Sequence, residues 1–327
     1  MWLGIDIGGT KTALAVGDGT GALLARERHP TAPTRDARKD LRRLAQVARS
    51  LVDQAGLDLA EIQAVGVSVA GPLDAAQGVV LNPPNLPWQR APVREALTQE
   101  LGRPVYLEND ANAAALAEWH FGAGRGTRHM LYLTMSTGIG GGLILDGRLY
   151  RGFSGNAGEV GHIPVVWEGA PCACGLRGCL EAYIGGAAWS RRLARRTPES
   201  SLVAALAGGP LQARPEHVVQ AAGQGDAFAQ AEMARFNNYL ARAIVQLGFC
   251  LAPERIVLGT IVAAAGEALC LAPVRARVAE HLWPVIREGL QIVPAALGER
   301  QPDYAGLGVA IQGGRSGAAG PTGAVTP

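Results

Sequence analysis

Two glycine-rich turns, each set between short apolar runs, constrain this chain more than any other feature. The first is Asp6-Ile7-Gly8-Gly9-Thr10-Lys11-Thr12, joining candidate strands at 3–7 and 12–16. The second is Ser136-Thr137-Gly138-Ile139-Gly140-Gly141-Gly142, between candidate strands at 129–134 and 143–145. Each hairpin heads a segment with the βα pattern. In the first segment Leu41, Leu44, Ala48 and Leu51 recur at helical spacing, a buried strand is expected at 64–69 and a helix at 92–101. A strand at 105–107 then runs into Asn109-Asp110, where a helix to about 121 begins. The same opening twice suggests an internal duplication. Two unrelated hairpins would look much the same, so the residues alone leave that open.

Both turns suit an anion. Adjacent glycines let backbone N–H groups approach a phosphate without Cβ interference, and Thr10 and Lys11 add donors and charge. Asp6, at the strand end, is a candidate to hold Mg2+ directly or through water. Neither turn is a Walker A loop, and the second is not the dinucleotide motif, because a strand follows it. Gly8-Gly9 alone also fits an ordinary tight hairpin. In the second turn four glycines in five positions exceed what a turn requires, and close approach to a phosphate is the straightforward cause.

Between 159 and 181 lies a different chemistry. His162 is followed by Cys172, Cys174 and Cys179, with Gly175 and Gly178 between the last two. Three thiolates and an imidazole are the donor set of a closed structural zinc site, although the spacing is not the common C-x2-C pair. Five cysteines, three of them clustered, argue against a disulfide framework and for a reducing, cytoplasmic compartment. Glu108-Asn109-Asp110 places a rigid carboxylate at a strand-to-helix junction, suited to accepting a proton from a substrate hydroxyl; a plain helix cap is the competing reading.

These motifs together resemble the ROK family of repressors and sugar kinases, and within it the bacterial glucokinases. The resemblance runs from residue 3 to about 285, through DIGGTK, SVAGPLD at 68–74, NPPNLPW at 82–88, LENDANAAALAE at 107–118, TGIGGGLI at 137–144, and GNAGEVGHIPV with CACGLRGCLE across 155–181. It implies an actin-like ATPase (ribonuclease H-like) α/β fold of duplicated domains, with nucleotide and sugar in the cleft between them. It implies Asp110 as general base, with Gly71, Asn109, Glu159, His162 and Glu181 contacting the sugar. The phosphates of ATP with Mg2+ would meet Asp6, Gly8, Gly9, Thr10, Lys11, Thr12, Thr137, Gly138 and Gly140. Many relatives carry two or three glycines after a later strand. Here that stretch reads Ile256-Val257-Leu258-Gly259-Thr260-Ile261, so only Gly259 is carried over.

The expected organisation is a small domain at 1–115, a large domain with the zinc motif at 116–312 and a disordered Gly/Ala/Pro tail at 313–327, the C-terminal helix packing back on the small domain. The expected activity is transfer from ATP to the 6-hydroxyl of a hexose, glucose first, with N-acetylmannosamine, N-acetylglucosamine or fructose as neighbours and polyphosphate as an open donor. A repressor would need a DNA-binding segment ahead of a motif that starts at residue 4. A net charge of +2 and 18% charged residues give no reason to expect nucleic acid or an anionic membrane as partner. No signal peptide or membrane-spanning run is expected. A homo-oligomer, dimer or tetramer, is expected.

Overall fold

A computed structural model describes residues 1–317, and the chain divides into two compact units. The first comprises Met1–Gly126, Arg148–Gly155 and the chain from Glu299 onward; the second comprises Thr127–Gly147 and Asn156–Gly298. The boundary therefore falls after Gly126, later than the expected 115, and two later segments return to the first unit.

In the first unit β1 (Trp2–Ile7), β2 (Lys11–Gly17), β3 (Leu23–Pro30), β4 (Ala64–Val69) and β7 (Val105–Asn109) form one sheet in the order β3-β2-β1-β4-β7. The short strands β5 (Leu73–Asp74) and β6 (Val79–Val80) pair separately. Strands β1, β4 and β7 are parallel, whereas β2 and β3 are antiparallel to their neighbours. One face of the sheet, through Leu3, Ile5, Val65, Val67 and Leu107, joins the core with α1 (Ala37–Gln54) and α2 (Val93–Leu101). α3 (Asp110–Phe121) and the C-terminal helix, Gln301–Gly317, pack together, and the latter lies across β1 and β4.

That helix sits unusually close. A Cβ on Gly66 would lie 2.1 Å from the Gly306 oxygen and 2.2 Å from the Ala310 nitrogen. The helix continues through residues 313–317, which were expected to belong to an unstructured tail. The glycines there are packing positions: a Cβ on Gly313 would meet the Tyr106 ring at 2.1 Å, and one on Gly314 the Trp2 ring at 2.6 Å. The rest of the expected tail lies outside the described residues. Gly66→Ala forces backbone against backbone and is expected to cost about 3 kcal/mol, read as a lower urea midpoint with unchanged slope.

The second unit repeats the plan. β8 (Met130–Met135) pairs antiparallel with β9 (Ile139–Leu145) and parallel with β11 (Arg255–Leu258), which pairs parallel with β12 (Gln291–Pro294). The order β9-β8-β11-β12 matches β2-β1-β4-β7 in direction as well as sequence, so the duplication is real at the level of topology. β10 (Arg148–Tyr150) belongs to the segment that groups with the first unit. Helices α4 (Leu180–Ile184), α5 (Gly186–Arg196), α6 (Leu202–Ala207), α7 (Pro215–Gly223), α8 (Ala227–Leu251), α9 (Ile261–Gly266) and α10 (Ala272–His281) complete the unit. Its core joins Leu131 and Leu133 of β8 to Trp189, Phe236, Leu240 and Ile244.

Candidate active site

Parallel strands end on the same edge of a sheet, and in the first unit that edge collects the polar residues. The register places Asp6 opposite Ser68, Ser68 opposite Glu108, and Val69 opposite Asn109. Gly71 and Asp110 follow immediately, so the carboxyl ends of three strands present Asp6, the Gly71 turn and Asp110 together, the usual ligand-binding edge of an α/β sheet.

Asp6 accepts a 2.5 Å hydrogen bond from the Ser68 hydroxyl. Desolvation pushes its carboxyl up to about 6; the Ser68 bond pulls the other way and the nearby charge of Asp110 adds to the rise. A carboxyl raised from about 3.8 in the unfolded chain contributes stability below pH ~4 that is lost as pH climbs through the folded value. At pH 7 without Mg2+, Asp6→Asn keeps the acceptor for Ser68 and removes the poorly solvated charge. It is expected to raise unfolding stability by roughly 2 kcal/mol while flattening the decline between pH 4 and 7, checked by urea denaturation across that range.

Asp110 opens α3. Its Oδ1 accepts from the Ala111 N–H at 2.9 Å, and desolvation raises its carboxyl above the ordinary carboxylate range. Among the described residues it forms no salt bridge. Asn109 caps α3, its side-chain oxygen accepting from the Asn112 N–H at 2.7 Å. Glu108 is buried and engaged: it accepts from Asn112 Nδ2 at 3.1 Å and pairs with Arg151. Of the two carboxylates in this motif, Asp110 is thus the one left for a substrate. Arg151 carries no motif signal in the sequence and went unmarked there.

The first turn is held by its neighbours. Gly8 N–H bonds the Lys11 oxygen at 3.0 Å, and Thr31 reaches the Gly8 oxygen at 2.9 Å. Thr12 is buried with its hydroxyl 2.8 Å from that of Thr31, so it braces the turn, leaving Thr10 and Lys11 as the exposed donors. A Cβ on Gly9 would meet Asn85 Cβ at 2.6 Å, and one on Gly71 would meet Pro83 Cα at 2.9 Å, so the 82–88 loop packs on both glycines.

In the second unit the turn is shorter than expected, because β9 already begins at Ile139 and Gly140 pairs with Thr134 inside the ladder. Gly141 answers a packing need, its missing Cβ being where Val160 Cγ2 (2.6 Å) and the Gly158 oxygen (2.8 Å) lie. Residues 136–138 are pinned to α5 by bonds from Gly186 N–H to the Ser136 oxygen (2.8 Å) and Ala187 N–H to the Thr137 oxygen (2.9 Å). Glu181 sits against this turn and accepts from Ile139 N–H at 2.8 Å. Gly259 is buried beneath Tyr132, its N–H bonded to the Leu133 oxygen at 2.8 Å, which leaves it no donor for a nucleotide. A cavity of about 550 Å3 opens beside the turn, lined by Met135, Ser136, Thr137, Ala187, Arg214 and Ile261. Met135, Ala187 and Arg214 carry no motif signal in the sequence, since they come from a strand end, a helix and the residue before another helix.

The candidate metal residues do converge. One donor atom from each of His162, Cys172, Cys174 and Cys179 lies within 4.8 Å of all the others. His162 Nδ1 is 3.8 Å from Cys172 Sγ, and Cys174 Sγ is 3.8 Å from Cys179 Sγ. Metal–sulfur arms of 2.3 Å at tetrahedral angles give edges of about 3.8 Å, whereas a disulfide needs about 2.05 Å. Gly175 and Gly178, both at positive φ, fold the knuckle; any Cβ on Gly178 would overlap the Val166 oxygen. Because Nδ1 points at the thiols, Nε2 faces the other way, 3.9 Å from Glu159 Oε2.

Residues 2–311 match the model of the ROK family. The chain belongs to that family. It is 36% identical to a glucokinase of Thermotoga maritima over 91% of this chain and 93% of that protein. Among solved structures, a ROK hexokinase from Thermus thermophilus is 33% identical with a TM-score of 0.82, covering 96% of this chain and 99% of that one. A ROK glucokinase from Streptomyces griseus, solved with glucose and AMPPNP, is 34% identical with a TM-score of 0.75, covering 95% and 99%. The ROK fold of two related α/β units is that of the actin-like ATPases. Among the described residues of this ROK protein, no helix is long and apolar enough to cross a membrane.

Proposed function

We propose that this ROK protein transfers the γ-phosphoryl group of ATP to the 6-hydroxyl of glucose. The observation that carries the reading is Asp110, a carboxylate at the ligand-binding edge of the first sheet with a raised pKa and no ion-pair partner among the described residues. The glucokinase relatives supply the substrate class.

Asp110 takes the proton of the 6-hydroxyl as that oxygen attacks in line, and a raised pKa brings the base closer to the proton it must accept. Asn109 and the Gly71 turn are the sugar contacts assigned to the first unit; on the second unit the family resemblance assigns sugar hydroxyls to Glu159, His162 and Glu181. On the first unit Thr10, Lys11 and the Gly9 N–H hold phosphate oxygens, the Gly8 N–H being taken by the Lys11 oxygen; on the second unit the N–H groups of Thr137 and Gly138 serve phosphate oxygens. Asp6 would hold the Mg2+ that accompanies ATP, directly or through water, and the ion would supply charge neutralisation at the phosphates. Adenosine occupies the cavity beside residues 136–138, where Ala187 and Ile261 give apolar walls and Arg214 a polar edge.

A structural zinc bound by His162, Cys172, Cys174 and Cys179 fits the donor set and fixes the His162 ring, leaving Nε2 for a sugar hydroxyl. The deciding assay couples ADP release to a panel of glucose, mannose, fructose, N-acetylglucosamine and N-acetylmannosamine, with ATP and polyphosphate as donors. ADP release that is highest with glucose supports the reading. Tight glucose binding with no turnover would replace it with a sugar-responsive regulator.

A further inference from the structure

A second cavity in the second unit, about 290 Å3, has five arginines and no acidic residue in its wall. Four of them, Arg191, Arg192, Arg195 and Arg196, come from α5, where i, i+1, i+4 and i+5 spacing gathers them on one side of the helix. Arg235 comes from α8. Arg192 is neutralised, donating to Glu232 at 2.8 Å and to the Tyr183 oxygen at 2.7 Å. Among the described residues the other four make no salt bridge. The Nε atoms of Arg192 and Arg235 are buried without a hydrogen-bond partner. Arg235 is held in place over the Tyr239 ring, 5.5 Å from its centroid, and that ring stacks on Tyr183 at 4.3 Å.

Unbalanced guanidinium groups this close repel one another, and unpaired buried N–H donors are unfavourable, so the wall favours an anion that takes several forked hydrogen bonds at once. We propose that this cavity binds a phosphate-bearing small molecule, its phosphate among Arg195, Arg196 and Arg235 and its remainder against Ala170, Ala182 and Ala188. Pro171 in the same wall precedes Cys172, and Tyr183 belongs to α4, which carries Glu181. A bound phosphate compound therefore touches the segments that bear the proposed metal ligand and sugar contact, a route by which it can alter sugar affinity.

The test is isothermal titration of the full chain with inorganic pyrophosphate and, separately, glucose 6-phosphate. It is repeated in Ala187→Trp protein with glucose at saturation, so that both the nucleotide cavity and the proposed sugar contacts are occupied and the remaining binding is read at the arginine-lined cavity. Binding that survives Ala187→Trp, falls about tenfold or more in Arg195→Ala/Arg196→Ala and in Arg235→Gln, and weakens with salt supports the proposal. The better of the two probes tells a condensed phosphate from a phosphate ester. Equal binding by wild type and the arginine variants overturns it. So does a change in sedimentation of the double variant, which would assign these arginines to contact with a second copy. Neither result depends on the kinase reading.

Discussion

Asp110→Asn is expected to lower kcat for glucose-dependent ADP release by roughly 10²–10⁴-fold, with glucose binding largely kept. The substitution is nearly isosteric, and an Asn oxygen can still accept from the Ala111 N–H that Asp110 Oδ1 holds. What disappears is the lone pair basic enough to take the hydroxyl proton. The pH profile separates this from a general disturbance. In the wild type, activity should fall on acidification through a pKa above the ordinary carboxylate range, because desolvation raises Asp110 and only its ionised form acts as base. The variant should lose that acidic limb along with the rate. Steady-state kinetics from pH 4.5 to 8, with glucose affinity measured independently, checks both. An unchanged profile at reduced rate would move the base elsewhere.

His162→Ala is expected to remove metal and sugar affinity together. Loss of an imidazole ligand should weaken zinc by about 100-fold or more, beyond the effect of disturbing an outer-shell partner, and lower the melting temperature to that of chelator-treated wild type. The KM for glucose should rise with it, since Nδ1 faces the thiols while Nε2 is turned away from them. Cys174→Ser makes the contrast. Cys174 is exposed and has no proposed sugar contact, so it should lose zinc with a smaller rise in KM. Metal content by mass spectrometry, read beside glucose KM, separates the two roles. A His162→Ala protein with full zinc and normal KM would sever the link.

Much of the fold was legible because its signals are local. A continuous apolar run located β4 at its observed bounds, 64–69, and Asn109-Asp110 marked the start of α3 through a capping bond that the structure contains. The four metal-ligand candidates were legible because reactive side chains in one short segment have few other reasons to cluster. Glycine was harder to interpret. The run at 140–142 looked like a phosphate loop, yet Gly140 pairs within β9 and Gly141 makes room for Val160 and Gly158. Gly313 and Gly314 looked like a tail, yet they seat a helix on Tyr106 and Trp2. A missing side chain reads the same in sequence whether its place is taken by a ligand, a neighbouring backbone or solvent.

By itself the sequence determined the alternating α/β plan, its two glycine-headed hairpins, the carboxylate at 110 and the Cys/His donor set. Each depends on residues near one another in the chain, where periodicity and spacing translate directly into geometry. Only the tertiary structure decided which carboxylate of the Glu108–Asp110 pair is free, since Arg151, which engages Glu108, lies 43 residues away. Only it showed where the nucleotide cavity opens, that Gly259 has no donor left, and that five arginines from two helices face one space. Those features arise where segments distant in sequence meet, and their pairings are set by packing that no local pattern encodes.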